Sequence, residues 1–177
     1  MNTVERQISN AQFLPQVISL LNEGHTATIH LRGISMRPFL EDNRDRAILI
    51  KAEKPTVGAP VLAEIDPGHF VLHRIIAISG DSVTLRGDGN IMTEHCSIAD
   101  VKAEAIGFYR KGRKRADMTS GMKWRIYSLL WTRLTPLSVR RYILAAYRRI
   151  KPLQQATQRS NKETIIKEYN YAKETGL

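Results

Sequence analysis

Between about residues 26 and 110, apolar and polar positions alternate with the period of a strand, and turn residues interrupt the alternation at close intervals. The first such segment, at about 26–32, is Ala27-Thr28-Ile29-His30-Leu31-Arg32. A second, residues 46–51, follows the polar turn Glu41-Asp42-Asn43-Arg44-Asp45. A third runs from Pro60 to Ile65, a fourth over roughly 69–78, a fifth from Ser82 to Arg86, and a last one spans about Glu104–Arg110. Asp66-Pro67-Gly68, Gly80-Asp81 and Gly87-Asp88-Gly89-Asn90 supply the turns between them. Ahead of the strands the period changes. Residues 9–23 place Phe13, Val17, Leu20 and Leu21 at helical spacing, and Gly24 stands where a helix stops. The pattern predicts a mainly β fold, a small antiparallel barrel or two-sheet core behind an N-terminal helix.

Beyond the last strand the pattern turns helical again. Thr119 or Ser120 is placed to cap a helix reaching about Leu134, with Tyr127, Leu130, Trp131 and Leu134 on one face. Pro136 opens a second helix, whose stripe is Val139, Ile143, Ala146, Tyr147 and Ile150. Charge separates this hairpin from the rest. Residues 110–151 hold 13 basic side chains and a single acid, Asp117, whereas residues 1–109 hold 10 basic and 13 acidic ones. Such asymmetry points to an anionic surface. The organisation expected is an N-terminal helix (1–25), a core (26–112), basic amphipathic helices (113–151) and a polar tail (152–177), in which Ile165, Ile166 and Tyr169 allow a short helix. The basic hairpin either covers the core or lies peripherally on an anionic membrane. Nucleic acid is disfavoured, because no base-reading pattern is present.

A lone cysteine, Cys96, excludes an internal disulfide framework and a multi-thiolate zinc site. No metal or cofactor is expected. Neither a secretory leader nor a run of about 18 apolar residues is present, so the expected location is cytoplasmic, at most peripheral to a membrane.

The candidate chemistry begins at Gly33-Ile34-Ser35-Met36-Arg37-Pro38-Phe39-Leu40, where the first strand breaks into a turn. Pro38 keeps Arg37 out of helical geometry, so the Ser35 hydroxyl projects from a rigid edge, and Gly33 would let another segment pass close to it. Taken alone, Ser35 reads first as a turn serine. As a nucleophile it needs a base. Of five histidines, His73 lies inside an apolar strand, where an imidazole requires a polar partner. His25, His30 and His95 read as surface or loop residues, and His69 is four residues away on the same strand, too far for a metal pair. Asp88 and Glu94 are the carboxylates that could hold the other imidazole nitrogen, while Asp45 and Asp81 read as turn formers.

Together these motifs resemble the catalytic domain shared by type I signal peptidases and the self-cleaving repressor proteases. The matching residues are Gly33-x-Ser35-Met36-x-Pro38, Arg44-Asp45, Gly58 before Val61-Leu62, Val71-Leu72-His73-Arg74-Ile75, Gly80-Asp81 and Gly87-Asp88-Gly89-Asn90, in that order over roughly residues 26–110. Ala59 stands where the family usually has aspartate, and neither the membrane anchor of the signal peptidases nor the DNA-binding domain of the repressors has a counterpart. The resemblance implies a serine endopeptidase with Ser35 as nucleophile and His73 as base, as in the serine–histidine branch rather than the serine–lysine one. Asp88 or Glu94 would complete the site, the Ser35 amide would hold the oxyanion, and cleavage would follow small residues of an extended peptide. The alternative is an inactive module on the same fold that binds peptides or a membrane surface.

Overall fold

The computed structural model of the chain describes residues 10–150. The polar tail with Ile165, Ile166 and Tyr169 lies outside the described residues. A helix, α1 (Asn10–Asn22), precedes eight strands: β1 (Ala27–His30), β2 (Arg46–Lys51), β3 (Pro60–Asp66), β4 (His69–Ser79), β5 (Ser82–Arg86), β6 (Glu94–Ser97), β7 (Val101–Tyr109) and β8 (Asp117–Met118). Two helices follow, α2 (Met122–Leu129) and α3 (Leu137–Ile150), joined by a wide π turn over Leu130–Leu134. The strands form one antiparallel sheet in the order β1-β2-β7-β3-β4-β5-β6, with β8 added on β7. The sheet curls as half a barrel, a single open sheet in place of either the closed barrel or the two-sheet core expected.

Two apolar clusters hold it together. One gathers Leu14, Val17 and Leu21 of α1 with Ile29, Leu49, Leu62, Ala105, Phe108 and the residues flanking Ser35. The other is built from Val61, Ile75, Val83, Leu85 and Val101. Burying each of these larger aliphatic side chains contributes about 1.5–3 kcal/mol. Within α1 the stripe is rotated from expectation: Leu14 is buried while Phe13 and Leu20 are exposed. Gly24 ends the helix with φ of +88°, its N–H donating to the Leu21 carbonyl.

Several elements follow from pairing rather than from pattern. β6, Glu94-His95-Cys96-Ser97, carries little strand signal and exists because Leu85, Thr84, Val83 and Ser82 of β5 supply its ladder. β7 begins at Val101, earlier than the alternation suggests, because Val101 pairs with Ala63. Neither Thr119 nor Ser120 caps α2. The Thr119 amide and hydroxyl both donate to the Ile106 carbonyl, and Gly121 precedes the helix without a side-chain cap. The chain divides after Arg140 into two compact units. The stripe expected on α3 is also displaced, since Val139 and Ile143 are exposed and Arg140 is buried.

Candidate active site

The serine turn is pinned from three sides. Gly33, with φ of +88°, donates its N–H to Asp42 Oδ1 at 2.7 Å. Met36, Phe39 and Leu40 sink into the first core cluster. Arg37 pairs with Glu41 at 2.8 Å, both side chains buried, and the Arg37–Pro38 peptide is cis. Asp45, fully buried, accepts from the amides of Glu41 and Lys111 and from Arg44. Burial alone would raise its carboxyl, but these donors hold it below the ordinary value. Asp45 is therefore more than a local turn former: it ties the serine turn to the end of β7.

Nothing lies within 4 Å of a Cβ placed on Gly33, so this glycine serves its positive φ and not a close approach. The close approach occurs opposite, at Gly87 and Gly89. A Cβ on Gly87 would overlap the Ser35 carbonyl oxygen and lie 3.0 Å from His73 Nε2, and one on Gly89 would lie 2.6 Å from the Ile34 carbonyl oxygen. The Gly89 amide donates to the Ser35 carbonyl at 2.6 Å. Two glycines that read in the sequence as turn residues thus let the β5–β6 connection press against the serine turn.

His73 occupies the middle of β4, opposite Val61 of β3, and is 3 % exposed. Its Nδ1 lies 2.6 Å from Glu94 Oε2, a close imidazole–carboxylate contact. Glu94 reaches it because β6 pairs beside β5, with Glu94 opposite Leu85. Burial pushes the imidazole pKa below its ordinary value of 6.5, and the charges of Glu94 and Asp88 pull it back only in part.

Asp88 has different partners. Its carboxylate takes a fork of two hydrogen bonds from Arg74, at 2.9 and 2.8 Å, and a third from the Tyr127 hydroxyl at 3.0 Å. Its carbonyl accepts from Trp131 Nε1 at 2.9 Å. Burial opposes the Arg74 charge, but the Asp88 carboxylate more than offsets this and raises its pKa. Burial and the same carboxylate raise the Tyr127 hydroxyl, which stays protonated. Of the two acids proposed, Glu94 touches His73, and Asp88 fastens α2 to the sheet. Arg74, Asn90, Trp124 and Tyr127 were not singled out for the site from the sequence. A buried arginine beside His73 in an apolar strand was the available signal for the first of them.

Ser35, His73, Asn90 and Glu94 line a single cavity of about 260 Å³, walled by Met36, Leu40, Phe70 and Leu72. Two unpaired strand edges lead into it. Among the described residues β1 has a strand neighbour on one side only, and β4 pairs with β5 only from Arg74 onward, leaving residues 69–73 without a described partner on that side. The remaining histidines stand apart: His25, His30, His69 and His95 are exposed, and His95 meets Thr84. Among the described residues no cluster of histidines, cysteines and acids could hold a metal. No family model, no curated protein and no solved structure matches the chain.

Proposed function

We propose that this chain is a serine endopeptidase of the signal-peptidase and repressor-protease type. The observation that carries the reading is the single cavity shared by Ser35, a buried His73 and the Glu94 carboxylate against its ring. His73 Nε2 removes the Ser35 hydroxyl proton as the oxygen attacks a peptide carbonyl. Glu94, on Nδ1, fixes the tautomer and stabilises the imidazolium that forms. The Ser35 amide holds the oxyanion, the amine leaves with the proton from His73, and water then releases the acyl group.

The substrate enters as an extended strand between the free edges of β1 and β4, adding main-chain hydrogen bonds to both. If the chain follows the family it resembles, a small residue precedes the cut bond and enters the cavity of about 260 Å³ beside Ser35. The test is a library of extended peptides varied at that residue. The native chain is expected to cleave those with alanine or serine there, and Ser35→Ala to bind them without turnover. Equal cleavage by Ser35→Ala would end the serine mechanism. Binding without turnover by the native chain would leave a peptide-binding module.

A further inference from the structure

Helix α2 has two unlike faces. Trp124, Tyr127 and Trp131 point inward, Trp124 and Trp131 being buried. The outward face carries Met122, Ile126 and Leu129 and runs on to Leu130 at the start of the π turn, at 75, 53, 48 and 50 % exposure, spaced as one stripe. Met118, whose carbonyl accepts from the Gly121 amide, is exposed at the head of that stripe. Scattered exposed aliphatics are ordinary, but a contiguous helical stripe of them marks a contact surface.

The segment that carries the stripe is strongly basic. Arg113, Lys114 and Arg115, in the loop before β8, are exposed, and no described carboxylate pairs with them or with Arg125. Beside α2 lies a cleft of about 880 Å³ lined by Arg74, Arg86, Arg125, Ser128 and Thr132 and by one carboxylate, Glu104, with Leu129 shared between cleft and stripe. Arg74 is neutralised by Asp88, whereas Arg86 meets no described carboxylate. Arg140 is buried near Arg86 with its Nε lacking an acceptor among the described residues, and burial and Arg86 together depress its pKa. With Arg74 paired to Asp88, the cleft keeps two arginines, Arg86 and Arg125, against the single carboxylate of Glu104, a net positive lining.

We propose that the outer face of α2 docks on an anionic phospholipid bilayer, the stripe entering the acyl boundary and the cleft receiving headgroup phosphates. Aliphatic insertion flanked by arginines matches both layers of such an interface. A second copy of the chain would set one strongly basic segment against another. Nucleic acid would leave the aliphatic stripe in water, with no exposed aromatic ring on this face for bases to stack on. No described helix is long and apolar enough to cross a membrane, so the contact is interfacial. The inference does not depend on the peptidase reading, because Ser35→Ala should bind vesicles as the native chain does.

The experiment is co-sedimentation of the full chain with phosphatidylcholine vesicles, with and without phosphatidylglycerol, at low and high salt. Binding is expected only with phosphatidylglycerol and should weaken as salt rises. Ile126→Gln with Leu130→Gln should weaken it roughly tenfold or more, while Leu20→Gln, an exposed leucine on α1, should not. Circular dichroism of each variant checks that the fold is kept. Arg86→Gln should lower the preference for phosphatidylglycerol and leave the helix intact. Absence of binding to anionic vesicles, equal binding by the double variant, capture by RNA but not by vesicles, or a dimer that the double variant abolishes would each overturn the proposal.

Discussion

His73 is a base whose proton affinity is set by two opposing neighbours, apolar burial below it and the Glu94 carboxylate beside it. Burial dominates, so the proposed base form persists below the ordinary titration range of histidine. The acidic limb of kcat/KM against pH should therefore fall below 6.5. Because Glu94 raises the imidazole pKa, Glu94→Gln should move that limb to still lower pH while cutting the rate by roughly 10²-fold or more. A limb that stays in place with an unchanged rate would take Glu94 out of the mechanism. The choice between Asp88 and Glu94 could not be made from sequence, since both lie within a few residues of one turn. It is the ladder between β5 and β6 that turns Glu94 toward His73, and the guanidinium of Arg74 that occupies Asp88.

At the scale of elements, α2 acts as a buttress. Trp124 meets Phe39 edge-on at 4.9 Å and Phe108 at 5.0 Å, while Tyr127 stacks on Phe39 at 4.5 Å. Phe39 closes the serine turn, and Arg74 lies over the Trp124 ring. Tyr127 of this helix bonds the carboxylate of Asp88 and Trp131 of the π turn behind it bonds the carbonyl, and Asp88 sits between the two glycines that press on the serine turn. Trp124→Ala should cost about 3–5 kcal/mol of stability, measured by denaturant unfolding. Tyr127→Phe removes one bond to a buried carboxylate and should cost about 1–3 kcal/mol with little change in packing. If Tyr127→Phe proves neutral, the bond to Asp88 contributes nothing net. The amphipathic character of this region was legible in its spacing. Which face turns inward was not, because Leu130 and Trp131 are equally apolar and only the aromatic pocket around Phe39 separates them.

For the whole molecule, acid should act in two stages. The folded state resists protonating His73, so between its depressed pKa and 6.5 the unfolded chain binds more protons and stability falls as pH is lowered. Asp45 and Asp117 are held below their ordinary value of 3.8, so the stability they contribute is complete above that value and is lost on further acidification. Thermal unfolding followed from pH 8 downward should show both stages, and His73→Gln should remove only the upper one. A pH profile unaltered by His73→Gln would mean that the imidazole titrates normally. By itself the sequence indicated most of the antiparallel strands, the helix ahead of them and the basic helical segment behind them, because period, turn residues and charge act locally along the chain. Tertiary structure alone decided that the sheet stays open, that Gly87 and Gly89 let two turns touch, which acid meets the imidazole and which face of α2 remains in solvent. Each of these depends on strand register and packing between residues far apart in the chain, which no local pattern encodes.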